Sequence, residues 1–198
     1  MPDLVLLGDS IIDNGAYVGP DEPDVPAQIR ERLPGWTVHM RAVDGHRTAD
    51  VLAGLRGLPG GARVFLSSGG NDALGHMDLL TSPEPATFGE ALARVRAIRE
   101  GFRAVYATLL DGLAGHPVMV ATIYNPSFTG EQAALQAPAE GGLCAFNDVI
   151  QSEALAREMA VLDLRRLFVH PADYANAIEP SAIGGARIAD AVARWCGG

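Results

Sequence analysis

Leu4-Val5-Leu6-Leu7-Gly8-Asp9-Ser10, near the start of the chain, is the stretch that decides the fold. Four apolar residues in a row, closed by a glycine, read as a strand covered on both faces, as in a parallel sheet. Similar runs follow at 36–40, 63–66 and 118–123, with a weaker fifth at 160–164. Helical patterns separate them, at 25–33, 49–58, 88–113, 143–159 and 183–195. The clearest is the third, where Leu92, Val95, Ile98, Phe102, Val105, Leu109 and Leu113 recur every three or four residues. Thr48 reads as the N-cap of the second helix, with Asp50 in its first turn. Pro/Gly-rich connections are expected at 15–26, 82–85 and 125–142, the last without secondary structure of its own. Strand and helix alternate throughout, so the expected architecture is a parallel sheet with helices on both faces.

The 198 residues suit a single domain over 1–198 with a substantial core. Fifteen basic against 24 acidic residues give a net charge of −9, and the basic residues form no run. That balance argues against nucleic acid or an anionic membrane as the main partner. The first ten residues carry an acid where a secretory signal needs cations, and no apolar segment is long enough to span a bilayer. Cys144 and Cys196 form no disulfide framework, and free thiols in a reducing cytoplasm are expected.

In open parallel sheets, ligands bind beyond the carboxyl ends of the strands. Gly8-Asp9-Ser10 follows the first strand and can present a hydroxyl at the sheet's edge. Gly45 and His46 follow the second, where a glycine lets a backbone N–H approach a ligand closely. Gly69-Gly70-Asn71-Asp72 follows the third and offers a side-chain amide. Each alone reads equally as a cap or a turn; in register they supply the parts of an acyl-transfer site. Ser10 is the expected nucleophile, with the N–H groups of Ser10 and Gly45 and the Asn71 amide as oxyanion donors.

These three blocks resemble those of the SGNH hydrolases, also called GDSL esterases and lipases, over nearly the whole chain. The resemblance implies a flavodoxin-like three-layer α/β/α fold with a five-stranded parallel sheet, order 2-1-3-4-5. It implies hydrolysis of an ester or thioester with no metal and no cofactor. The family's last block, Asp-x-x-His-Pro, departs here: Asn176 stands for the aspartate and Glu179 for the histidine, while Pro180 and Gly184 keep the register.

Three readings of that departure stay open. Glu179 accepts the serine proton, with Asn176 orienting it by hydrogen bonding; a histidine at the rim, His46 or His76, is recruited as base; or the site binds an acyl or sugar ligand without turnover. His39, His116 and His170 lie elsewhere in the sequence pattern. Asp9, Asp72 and His46 are further candidates for contacting substrate, and Asp13 and Asn14 for placing the Ser10 turn. Tyr124, Phe128 and Leu135 are candidates for lining an acyl pocket. With no long apolar lid, a small or soluble ester is the expected substrate; oligomeric state is left open. A phosphate-binding site is disfavoured, because Asp9 and Asp13 stand where a phosphate cradle needs glycine N–H groups and a lysine.

Overall fold

Side chains alternate across β1 (Asp3–Leu7), and both faces are buried. Leu4 and Leu6 enter one apolar cluster, while Val5 and Leu7 enter a second on the other face. That double burial is why the strand reads as an unbroken apolar run. The computed structural model describes residues 1–84 and 87–197, so Pro85 of the expected 82–85 connection lies outside the described residues. After β1 come α1 (Val25–Arg32), β2 (Thr37–Met40), α2 (Thr48–Ala53), β3 (Arg63–Leu66), α3 (Gly70–Leu74) and α4 (Phe88–Asp111). The chain continues with β4 (Val118–Ala121), α5 (Gln136–Leu155), β5 (Ala160–Leu162) and α6 (Ala182–Gly197). All four strand pairings are parallel and the sheet order is β2-β1-β3-β4-β5. Ile29, Ile188 and Val192, from α1 and α6, pack on one face. Tyr106, Leu109, Val149 and Ile150, from α4 and α5, pack on the other. Among the described residues no helix is long and apolar enough to cross a membrane.

Several elements differ from the sequence reading: α3 is not among the expected helices, and α5, expected at 143–159, spans Gln136–Leu155. The 125–142 connection is not structureless: a 3₁₀ turn spans Gly130–Leu135 and α5 begins at Gln136. Pro138 falls in the first turn of α5, where a missing N–H breaks no helical bond, and the helix runs on through Gly141 and Gly142. The Gln136 side chain secures that start, accepting from Phe128 N and donating to Pro126 O and Glu140 Oε1. Thr48 is not an N-cap. It opens α2 from inside, fully buried, with its hydroxyl against Ser68 and Asp72. The helix then stops at Gly54, well short of residue 58.

Gly8 closes β1 with φ 143°, a conformation side chains rarely adopt, and a Cβ there would run into the Ser67 carbonyl. This glycine lets the ends of β1 and β3 lie side by side. The two site-bearing loops therefore start from adjacent points on the sheet edge.

Candidate active site

Ser10 sits in the turn after β1, 7% exposed, and that turn is built around Asp9. The Asp9 carbonyl accepts from the N–H groups of Ile12 and Asp13, and its carboxylate Oδ1 accepts from Ile11 N and Ser67 Oγ. Burial pushes Asp9 up to about 6, and nearby Asp72 adds to the rise, although the Ser67 hydroxyl and Ile11 amide oppose it. The Asp9 oxygen bonded to Ser67 and Ile11 is thus committed to holding the turn, although the residue also borders the cavity described below.

Ser10 Oγ donates to Glu179 Oε1 at 3.2 Å, across 169 residues of sequence. Glu179 is 7% exposed, and its second oxygen, Oε2, is buried with no hydrogen-bond partner among the described residues. Desolvation lifts this carboxyl to about 7, with the charges of Asp44 and Asp9 adding to the rise and the Ser10 hydrogen bond opposing it. Asn176 is exposed, and its Oδ1 accepts from the backbone N–H groups of Ile178 and Glu179. It therefore shapes the turn ahead of Glu179 and does not orient the carboxylate, contrary to the expectation above. An Asx turn is satisfied locally, so the side chain has no cause to reach across.

Asn71 lies in the first turn of α3, and its Nδ2 donates to the His46 carbonyl at 3.0 Å, tying this helix to the loop after β2. Gly45 occupies that loop with φ 80°, exposed. Tyr17 Oη donates to Asp44 Oδ2, and Asp44 N donates to Asp13 Oδ2, so both sides of the loop are held. Among the described residues neither the Ser10 nor the Gly45 N–H has an intramolecular partner.

A cavity of about 160 Å³ opens beside these groups, with Asp9, Ser10, Asn71 and Glu179 at its polar end. Most of the remaining wall is apolar, including Leu74, Leu80, Ile98, Ile123, Tyr124 and Phe146. Phe128 also lines it; Leu135 does not, because it ends the 3₁₀ turn ahead of α5. Gly45, His46 and Asp72 lie outside the lining. Asp72 instead accepts from Thr48 N and Thr48 Oγ1, holding the start of α2. No histidine bonds to Ser10 among the described residues: His39 pairs with Asp3, His116 with the Ala62 carbonyl, and His170 is exposed. His76 borders the cavity, exposed, with its ring 6.5 Å from that of Phe146. Among those residues no group of three His, Cys, Asp or Glu could hold a metal ion.

Residues 6–187 match the model of the GDSL-like lipase/acylhydrolase family. The chain belongs to that family. An extracellular lipase from Streptomyces rimosus is 22% identical, with 98% of this chain and 100% of that one covered at a TM-score of 0.72. The lipase Lip_vut3 from a goat rumen metagenome is 19% identical, covering 100% and 98% at 0.76. The acetyl xylan esterase AlAXEase is 16% identical, covering 98% of both chains at 0.68. A comparison with curated proteins finds no match. At such identities the solved structures establish the fold alone, while membership of the family makes this GDSL hydrolase an ester hydrolase by class.

Two contributors to the site have roles that the sequence reading does not assign. Tyr124 Oη donates to the Ile178 carbonyl, pinning the segment that carries Glu179, although the residue was noted only as apolar lining. Buried Asp173 accepts from Val169 N and His170 N at the start of the same segment. Neither pairing leaves a mark in local sequence, because both partners are backbone groups.

Proposed function

We propose that this hydrolase cleaves an ester or thioester with an apolar acyl group, using Ser10 as nucleophile and Glu179 as general base. The observation that carries this reading is the Ser10 Oγ to Glu179 Oε1 hydrogen bond at the polar end of an otherwise apolar cavity. An ordinary carboxylate is a feeble base for a serine hydroxyl. A buried one raised to about 7 is better matched to neutral pH, while remaining largely ionised above it.

In the first step Ser10 Oγ attacks the acyl carbon, and its proton passes to Glu179 Oε1. The negative charge moves from the carboxylate to the acyl oxygen, where the N–H groups of Ser10 and Gly45 and the free Asn71 amide proton would receive it. Collapse of the adduct breaks the acyl–oxygen or acyl–sulfur bond, and Glu179 returns the proton to the leaving alcohol or thiol. Water then attacks the acyl-enzyme. Glu179 takes one water proton, with Oε2 the free acceptor for it, and Ser10 is reprotonated as the acid leaves. No metal or cofactor takes part in this scheme. The apolar wall favours an acyl chain over an acetylated sugar at this position. The substrate is a small molecule, and with Cys144 and Cys196 unpaired, the reading places the enzyme in the cytoplasm.

A second reading, ligand binding without turnover, is favoured by one feature: Asn71 already gives one amide proton to the His46 carbonyl. A fluorophosphonate probe applied across pH, with mass mapping of the adduct, decides between them. The Ser10–Glu179 pair requires labelling at Ser10 that strengthens as pH rises through about 7 and is lost in Glu179→Gln. Absence of labelling at every pH leaves the binding reading.

A further inference from the structure

We infer that Asn14 is a positioning residue that sets the separation of Ser10 and Glu179 by clamping the base-bearing segment to the nucleophile turn. Its side chain is fully buried at the end of that turn, and both halves of its amide are engaged. Oδ1 accepts from Val25 N, the first residue of α1, at 2.8 Å. Nδ2 donates to the carbonyl of Pro180, the residue after Glu179, at 3.1 Å. One planar group thus joins the β1 loop, the start of α1 and the segment bearing the base.

The other bonds of that segment do not perform this task. Ala175 N donates to Glu179 O and Ser181 N to Asp173 O, closing the segment on itself. Ser127 N donates to Ala177 O and Tyr124 Oη to Ile178 O, fastening it to the loop after β4. Gln28 Nε2 in α1 bridges Ala182 O to Pro23 O, farther from the nucleophile; among the described residues only Asn14 bonds directly from the loop carrying Ser10, four residues away, to the segment's backbone. Pro180 has no N–H, so its buried carbonyl is the backbone handle this position offers. A side-chain amide suits the task, since a carboxylate at position 14 would still accept from Val25 N yet repel the Pro180 oxygen.

The consequence reaches Glu179 twice. Slack in the segment lengthens the Ser10–Glu179 hydrogen bond, and it admits water to a carboxyl whose upward shift comes mainly from burial. The titratable groups acting on Glu179 are Asp9 from the β1 turn and Asp44 from the loop after β2, while Tyr17 and Tyr124 face it with neutral hydroxyls. Neither Asp9 nor Asp44 bonds to the Asn14 side chain, so its loss acts on Glu179 through solvation and leaves the two charges in place.

The inference rests on the Ser10–Glu179 reading, and its test separates the two. In Asn14→Ala, kcat for a soluble nitrophenyl ester is expected to fall roughly tenfold to a hundredfold with KM little changed. The acid limb of the pH profile should move to lower pH. Val192→Ala, a core truncation in α6 away from the cavity, should lower stability without moving that limb. Should Asn14→Ala fail to fold, Asn14→Asp keeps the acceptor for Val25 N, and its fluorophosphonate labelling at Ser10 should slow at least tenfold at pH 8. A folded Asn14 variant with wild-type kcat, labelling rate and pH limb refutes the clamp while leaving the catalytic pair standing. A wild-type protein whose Ser10 never labels refutes the pair, and the clamp with it.

Discussion

Replacing Glu179 by Gln removes one ionisable group with almost no change of shape, and two opposite effects follow from one cause. Glu179 is 7% exposed and lifted from 4.5 to about 7 by burial and by the negative charges of Asp44 and Asp9. The folded chain therefore binds this proton more tightly than the unfolded one. The stability so gained is fully present below about 4.5 and is lost as pH rises through about 7. A rise from 4.5 to about 7 corresponds to about 3 kcal/mol, an upper figure because the group borders a cavity. At pH 8 Glu179→Gln is spared that cost, and Tm should rise by up to roughly 6–12 °C over wild type, with little difference at pH 4. Activity should move the other way. General-base loss costs about 10²–10⁴ in kcat. The wild-type rise between pH 5, where about a hundredth of the carboxyl is ionised, and pH 8 should disappear. Paired calorimetry and ester-hydrolysis profiles over pH 4–9 measure both. A Gln variant that keeps wild-type kcat and its acid limb refutes the assignment and hands the base role to His46 or His76, which alanine substitutions would then identify.

Further expectations concern the rest of the site. Asn71→Ala should lower kcat by roughly 10²–10³ if its free amide proton receives the oxyanion, whereas a raised KM with unchanged kcat assigns it to ground-state binding. Asn176→Asp with Glu179→His restores the family pattern and should preserve or raise turnover in the same kinetic assay; loss of Ser10 labelling in a folded double variant counts against the register of the last block. Ala73→Phe should narrow the apolar end of the cavity, raising KM for longer acyl esters while sparing acetate esters, as a chain-length series would show.

Much of the architecture was legible because it rests on local chemistry. β1, β3 and β4 announce themselves as largely apolar runs, the edge strand β2 alternates polar and apolar residues, and parallel pairing follows from the helices between them. Ser10, Gly45 and Asn71 are found at strand ends because the loops there hold glycine and polar residues that the core would not accept. α5 is expected seven residues too late, since Pro138 and the pair Gly141-Gly142 are breakers in isolation, and only the anchoring of Gln136 by the loop before it shows why the helix starts early; it also stops at Leu155, short of 159. The replacement of the family's histidine by Glu179 was also visible, but its chemistry was not. Burial beside Asp9 and Asp44, the donor from Ser10 and the unpartnered Oε2 arise from segments far apart in the chain. The same holds for Asp72, which reads as a site residue by position yet is spent on Thr48, and for Asn176, whose bonds stay within its own turn. Sequence alone determined which residue types stand at each strand end, because backbone geometry and hydrophobic period act over a few residues. Which carboxylate is desolvated, which amide is already committed and which loops are tied together depend on partners from tens of residues to more than a hundred and sixty apart, and only the tertiary structure decides them.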